Sequence, residues 1–183
     1  MIFEGKEFEV KNGLKILIKS PSVDEAEEVL KVHNQILKET EYCLSAPEDP
    51  QHTLDEEKAF IEKHETNESY FLCAYVDGKV IGMSNLNFDR HFRARHRAGI
   101  GISILKEYWN SGIGSALFEV MIDLAKKHEG TEIITLEYVA GNDRGRGLYQ
   151  KFGFKPYGVA PKMLKFKDGS YGDEVLMVKV LEK

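Results

Sequence analysis

The sequence predicts a protein of the α/β or α+β class, in which helices pack on a mixed sheet. Three turn dipeptides between apolar segments predict hairpins, and four amphipathic segments between the strands predict helices. Their order is a strand hairpin, two helices, three strands, a helix, a strand, a helix and two strands. Because no repeat or Pro/Gly-rich linker divides the 183 residues, we treat residues 1–183 as a single domain.

Each hairpin is predicted from a dipeptide that favours positive φ angles and is flanked by residues with strand patterns. Asn12-Gly13 separates residues 8–10 from 14–18, Asp77-Gly78 separates 70–76 from 79–86, and Asp168-Gly169 separates 163–166 from 175–180. Three antiparallel strand pairs therefore account for six of the predicted strands.

The helices are predicted from capping signals and apolar periodicity. Ser22 with Glu25 and Thr53 with Glu56 are capping-box signatures before the first two helices. The predicted apolar face of the first helix consists of Val23, Ala26, Leu30, His33 and Leu37. A third helix spans about 112–128, and a fourth ends near residue 152. One strand precedes the third helix, with Ala98, Ile100, Ile102 and Ile104 on one face, and another spans 131–138.

The composition indicates a globular protein, with 42% hydrophobic residues, 30% charged residues and a formal net charge of −5. Because phosphates repel an acidic chain, we expect no nucleic acid and no membrane surface as a partner. No apolar run approaches the ~18–20 residues that a membrane helix needs. Cys43 and Cys73 make no disulfide framework and residues 1–6 show no secretory signal, so we expect a cytoplasmic location. The six histidines form no metal-binding pattern, so no metal site is predicted.

Residues 102–115 carry the first candidate ligand site, because a strand ends there and Gly112 and Gly114 open an amphipathic helix. The unpaired N–H groups at a helix N-terminus bind phosphate without basic side chains, and glycine permits close approach. Two phosphate motifs are excluded, since Leu117 occupies the third glycine position of G-x-G-x-x-G and the chain has no Gly-Lys-Ser/Thr. A tight turn before a core helix is the alternative.

Residues 136–154 closely resemble the second signature of the GNAT N-acetyltransferase superfamily. In that signature a strand leads to an asparagine, a small residue, Leu-Tyr and Gly-Phe, here Asn142, Gly145, Leu148, Tyr149, Gly153 and Phe154. Residues 102–115 then resemble the acetyl-CoA signature R/Q-x-x-G-x-G/A, with Gly112 and Gly114 as its glycines. Trp109 departs from the Arg or Gln of that signature, and Gly145 and Gly147 stand in a helix where the family prefers alanine.

The resemblance implies a GNAT-like fold, a central and mostly antiparallel sheet with a splayed parallel strand pair, flanked by about four helices. The pair would end near Ile104 and Tyr138 and hold acetyl-CoA, the co-substrate, between its strands. The pantetheine arm would then bond the backbone of Ile102, Ser103 and Ile104. The pyrophosphate would rest on the amides of Asn110, Ser111, Gly112, Ile113, Gly114 and Ser115. Asn142 would cap the last helix, hold the cofactor arm, or do both.

The resemblance also implies direct acetyl transfer to an amine, and neither cysteine lies in the two signature segments. Tyr149 would contact the cofactor and protonate its leaving thiolate; the alternative is a core aromatic. A backbone N–H near Ile104 would stabilise the developing oxyanion. An alkyl amine with a pKa of ~10 must lose a proton before attack. Glu137 matches the general base of the ribosomal-protein N-acetyltransferase branch, with His96, a water relay or a structural Glu137 as alternatives.

We expect the acceptor to be the primary amine of a small molecule. A peptide amine, at a protein N-terminus or on a lysine, is the alternative within this enzyme class, and a noncatalytic acyl-CoA-binding module is the alternative outside it. The first two helices, their loop and the last strands would select the acceptor, with Tyr42 and Asp49 as candidate lining residues. Arg93, Arg95 and Arg97 share one face at strand spacing, either as a solvated loop and strand edge or as a contact for an acidic substrate group or partner. A homodimer is compatible with each alternative.

Overall fold

The computed structural model describes residues 1–66 and 69–182, which form one eight-stranded sheet and four α-helices. The strands are β1 (Lys6–Glu9), β2 (Lys15–Lys19), β3 (Ser69–Val76), β4 (Lys79–Phe88), β5 (Arg97–Ile104), β6 (Ile133–Val139), β7 (Lys155–Lys165) and β8 (Tyr171–Val180). The helices are α1 (Ala26–Glu39), α2 (Leu54–Thr66), α3 (Ile113–Lys127) and α4 (Asp143–Lys151). The order of strands and helices is the one that the sequence predicts.

The sheet opens in its middle, between β5 and β6. Its strand order is β1-β2-β3-β4-β5-β6-β8-β7, and β5–β6 is the parallel pair among antiparallel neighbours. These two strands pair only at their starts, from Arg97 opposite Ile133 to Gly99 opposite Thr135. β5 stays paired with β4 as far as Ile104, and β6 stays paired with β8 as far as Val139. The strands therefore diverge after Gly99, which confirms the predicted splayed pair.

Two apolar layers cover the two faces of the sheet. α3 packs on one face through Ile113, Leu117 and Met121, in the same core as Tyr149 of α4. α1 and α2 pack on the other face, with residues such as Val29 and Ile61 against β3 and β4. Because the splay lies between β5 and β6, it connects the α3/α4 side with the α1/α2 side. In the described residues, every helix is too short or too polar to cross a lipid bilayer.

Two of the three predicted hairpin turns have the expected conformation. Asn12-Gly13 and Asp77-Gly78 have positive φ at both residues. At the third turn only Gly169 does, and the Phe166 N–H donates to the Ser170 carbonyl. The strand before that turn was predicted over 163–166, but β7 begins at Lys155. It contains two prolines at register shifts against β8, a position that an edge strand tolerates.

Two further local predictions are wrong. Residues 92–96 form a turn, closed by the Ala94 N–H to the His91 carbonyl, so Arg93 and Arg95 do not share a strand face with Arg97. Arg97 begins β5 and pairs with Asp89 at 2.7 Å. The buried face of α1 consists of Ala26, Val29, Val32, Ile36 and Leu37, a stripe rotated from the predicted one. Leu30 and His33 are only half-buried, because the helix lies on the sheet along the rotated stripe.

Candidate active site

A cavity of about 570 Å³ occupies the splay between β5 and β6. Its walls come from α1 and the loop after it, β5, the β5–α3 turn, β6 and the first turns of α3 and α4. All of the predicted site residues line it except Ser111. Ser111 instead has structural bonds: its carbonyl accepts the Lys11 N–H at 3.0 Å, and its hydroxyl donates to the Tyr108 carbonyl.

The register of β5 determines which peptide groups face the cavity. The Leu105 N–H donates to the Ile81 carbonyl and the Asp89 N–H to the Arg97 carbonyl, so the odd-numbered residues of β5 bond to β4. The peptide groups of Ile102 and Ile104 therefore face the cleft that opens after Gly99. The alternation directs the backbone of Ser103 towards β4, and its side chain hydrogen-bonds Cys43 at the cavity wall.

The carbonyl of Ile104 already has a partner, since Trp109 Nε1 donates to it at 2.8 Å. Trp109 follows the end of β5 by five residues and lines the cavity. On this edge of β5, the Ile102 peptide groups and the Ile104 N–H remain for a ligand.

The start of α3 offers backbone donors to the cavity. Asn110 and Gly112 have φ angles of 63° and 99°, which turn the chain sharply before the helix. Gly112 is the N-cap and has no side chain to satisfy the first-turn amides of Ile113, Gly114 and Ser115. These amides line the cavity at the positive end of the helix dipole, an arrangement that suits an anionic ligand.

Gly114 also permits α3 and α4 to approach each other beside the cavity. A Cβ at this position would lie 3.0 Å from Leu148 Cδ2 and 3.6 Å from Ile104 Cδ1. The second glycine of the signature therefore serves helix packing as well as ligand access.

Tyr149 lies at the inner end of the cavity and is only 8% exposed. Its ring packs between Phe118 and Tyr138, with ring centroids 5.6 Å and 5.5 Å away. Burial raises the pKa of the Tyr149 hydroxyl to about 12, so this group stays protonated at neutral pH. A buried phenol that lines a cavity is both a core aromatic and an available proton donor.

Asn142 caps α4, because its Oδ1 accepts the Gly145 N–H at 3.0 Å. The capping interpretation of this residue is therefore confirmed. Its carboxamide also lines the cavity.

Glu137 is exposed and lines the cavity from β6. A second carboxyl group, Glu174 of the neighbouring β8, lies near it. Burial, followed by the negative charge of Glu137, raises the pKa of Glu174. Of these two carboxyl groups, Glu137 lines the cavity and Glu174 lies outside its wall.

Two other candidates lie elsewhere. His96 precedes β5 at the end remote from the splay, where its carbonyl accepts the N–H groups of Glu132 and Ile133. Its side chain is not part of the cavity wall, and neither is that of Asp49, which accepts the Ala46 N–H within its own loop. Tyr42 does line the cavity, and its hydroxyl donates to the Gly141 carbonyl at 3.2 Å across the opening.

His33, Cys43 and Arg144 are among the cavity residues that were not singled out as site residues from the sequence. Burial lowers the pKa of His33 on α1 and raises that of the Cys43 thiol, so both side chains favour their neutral forms. Arg144 on α4 lies over the Trp109 ring, with its guanidinium carbon 3.2 Å from the ring centroid. No local pattern marks these residues, although Arg144 follows Asn142 of the second signature by two positions. In the described ranges, no group of three His, Cys, Asp or Glu side chains is arranged to hold a metal ion.

The sequence is similar to those of known acetyltransferases. Residues 33–154 match the sequence profile of the Acetyltransferase (GNAT) family. The chain is 29% identical over 109 residues to an L-amino acid N-acetyltransferase of Escherichia coli, covering 60% of this chain and 67% of the relative. It is 26% identical over 158 residues to an N-alpha-acetyltransferase of Sulfurisphaera tokodaii, covering 80% and 84% of the two chains.

Solved structures agree with these relatives. A GNAT-family acetyltransferase from Streptococcus pneumoniae has a TM-score of 0.86 and 29% identity, covering 91% of this chain and 99% of that one. A Salmonella typhimurium protein solved with its cofactor acetyl-CoA has a TM-score of 0.79 over 92% and 95% of the two chains. At 19% identity, this second likeness shows the fold alone.

Proposed function

Because the chain belongs to the Acetyltransferase (GNAT) family, whose members use acetyl-CoA, we propose that it transfers an acetyl group directly to the primary amine of a small molecule. The observation that carries this proposal is one continuous cavity through the splayed sheet. Free helix amides line it at one end, an open strand edge follows, and Tyr149 and Glu137 line it further in. The proposal treats residues 1–183 as one catalytic domain, since a single sheet runs through the described residues.

The chain's donors fit the chemical groups of acetyl-CoA. The first-turn amides of α3, at Ile113, Gly114 and Ser115, suit the negatively charged diphosphate. The cleft-facing peptide groups of Ile102 and Ile104 suit the amides of the pantetheine arm, as in the addition of a strand to a sheet edge. Bound acetyl-CoA supplies the activated thioester. The Ile104 N–H is the donor that we assign to the carbonyl oxygen of the acetyl group, where negative charge develops.

Two side chains are assigned to the proton transfers. Glu137 takes the proton from the acceptor ammonium, because its carboxylate is exposed and lines the cavity. The neutral amine then forms the new C–N bond while the C–S bond breaks. Tyr149 donates its hydroxyl proton to the departing sulfur; burial raises the pKa of this phenol to about 12, so it is protonated before the bond breaks. Formation of the amide releases a second proton from the nitrogen, which returns to the Tyr149 phenolate, and Glu137 loses its proton to solvent after the products leave.

The acceptor side of the cavity favours a small molecule. α1 and the loop after it contribute His33, Thr40 and Cys43 to this wall. The Tyr42 hydroxyl donates to the Gly141 carbonyl and so joins the loop after α1 to the β6–α4 loop, which limits the space for a peptide chain. The carboxylate of Glu137 attracts a cationic amine. Because Cys43 and Cys73 are free thiols, we assign the reaction to a reducing compartment, the cytoplasm.

Steady-state assays with acetyl-CoA test the proposal against its alternatives. The full chain is assayed for release of free CoA thiol with separate panels of small amines, amino acids and peptides. Turnover of small amines or amino acids without turnover of peptides is the expected result. Turnover of peptides alone would favour the protein N-acetyltransferase alternative, for which the similarity to an N-alpha-acetyltransferase is the supporting observation. CoA binding without turnover of any acceptor would favour a noncatalytic module.

A further inference from the structure

The acetyl-CoA signature of this chain has an aromatic residue where a polar or cationic one is usual. Trp109 stands three residues before Gly112, the first glycine of that signature. Its indole N–H is used within the protein, in the bond to the Ile104 carbonyl at 2.8 Å. Trp109 therefore provides no cation and no free donor for a phosphate.

A cation from another element lies at this position instead. The guanidinium carbon of Arg144, from the first turn of α4, is 3.2 Å from the centroid of the Trp109 ring. Both side chains line the cavity, together with the free amides at the start of α3. A guanidinium attracted to an aromatic face keeps its N–H groups directed outward in its own plane, where they bind a phosphate bidentately.

The charge of Arg144 has no counter-ion within the described part of the chain. No carboxylate there forms an ion pair with it. Arg146, two positions further along the same helix, instead pairs with Asp143 at 3.1 Å and is not part of the cavity wall. Burial lowers the pKa of Arg144, in keeping with its place in the cavity wall. An anion bound in the cavity would balance the positive charge of Arg144.

We propose that Arg144, held on the face of Trp109, binds a phosphate group of CoA and supplies the cation that the signature lacks at position 109. This inference goes beyond the proposed function, since it concerns cofactor affinity and not the choice of acceptor. It applies in an acidic chain of net charge −5, where Arg144 adds its charge to those of Lys11 and Lys151 in the same cavity wall and attracts an anionic ligand.

Calorimetric titration of the full chain with CoA tests the proposal. Arg144→Gln is expected to weaken CoA binding about tenfold, which corresponds to about 1.4 kcal/mol, and to make binding less dependent on salt. The matched control Arg146→Gln is expected to bind CoA within about twofold of the parent protein, a difference well under 1.4 kcal/mol. Thermal unfolding of each variant shows whether it is folded.

The second variant moves the positive charge from position 144 to position 109. Trp109→Arg combined with Arg144→Gln returns the cation to the signature position and is expected to recover most of the lost affinity. Titration with dephospho-CoA separates the two phosphate sources. If Arg144→Gln weakens dephospho-CoA as much as CoA, Arg144 binds the diphosphate; if it weakens CoA alone, Arg144 binds the 3′-phosphate.

Unchanged CoA affinity in folded Arg144→Gln, while the parent protein binds CoA, would overturn the inference and leave the proposed acetyl transfer standing. Equal weakening by Arg144→Gln and Arg146→Gln would also overturn it, because the effect would then be one of net charge. Failure of the parent protein to bind CoA would overturn both the inference and the proposed function.

Discussion

The hydroxyl of Tyr149 lies directly against Gly145: a Cβ at Gly145 would be 3.1 Å from that oxygen. The same Cβ would lie 2.9 Å from Asn142 Nδ2. Gly145 therefore leaves room for the phenol and the capping carboxamide to lie one turn apart at the cavity. This contact gives a reason for glycine at a helical position where the family prefers alanine.

Replacement by alanine is expected to have different effects at the two glycines of α4, Gly145 and Gly147. Gly147→Ala meets no atom within 4 Å and removes a flexible helix residue, so unfolding free energy should rise by about 0.5–1 kcal/mol. Gly145→Ala displaces Asn142 and the Tyr149 hydroxyl, so kcat should fall at least about tenfold and the gain in stability should be smaller or absent. Urea unfolding and steady-state kinetics measure both variants. Equal kcat in the two would contradict this account of Gly145.

Tyr149→Phe is expected to lower kcat by about 10²-fold or more while CoA affinity stays within about threefold, because the proton donor is lost and the ring is kept. Tyr138→Phe is the matched control, since its ring packs on Tyr149 at 5.5 Å and lines the same cavity. A much smaller loss of kcat is expected there. Single-turnover assays and CoA titration separate the chemical step from binding, and a normal kcat in Tyr149→Phe would remove this residue from the reaction.

The raised pKa of Tyr149 has a visible consequence at alkaline pH. A solvent-exposed tyrosine loses its proton around pH 10, whereas burial holds Tyr149 protonated up to about pH 12. At saturating acceptor, kcat is therefore expected to stay level between pH 8 and pH 10. A decline with a midpoint near pH 10 in the parent protein, absent from Tyr149→Phe, would show that the hydroxyl titrates like an exposed one.

Glu137→Gln is expected to lower kcat/KM by about 10²-fold at neutral pH, because an amide accepts no proton. His96→Ala is the control, since His96 lies at the far end of β5 outside the cavity wall. It should leave kcat/KM within about twofold of the parent protein. Steady-state assays at neutral pH compare the variants. A normal kcat/KM in Glu137→Gln would transfer the base role to a water relay or another cavity group.

Local sequence patterns predicted the fold and most of the candidate site. Gly112 begins α3 with a positive φ angle that glycine favours, and Asn142 begins α4 through its capping side chain, so signatures around them could be recognised. β7 was predicted too short because Pro156 and Gly158 disfavour strands, while pairing with β8 at the sheet edge overrides that preference. The shared strand face of Arg93, Arg95 and Arg97 was wrong because arginine spacing alone cannot distinguish a strand from a turn.

The sequence by itself determined the element order, the splayed parallel pair and the residues that line the cavity from the two signatures. The element order depends on apolar periodicity, turn residues and helix caps, whose physical causes act within a few residues of the chain. The splayed pair and the lining residues were implied by the resemblance to the two GNAT signatures. Only the tertiary structure decided that Ser103 bonds towards β4, that Trp109 bonds the Ile104 carbonyl, and that Arg144 covers the Trp109 ring. Strand register and the docking of α4 against the β5–α3 turn create these contacts. The last of them joins residues 35 positions apart, so the side chains become neighbours only when the sheet and helices pack.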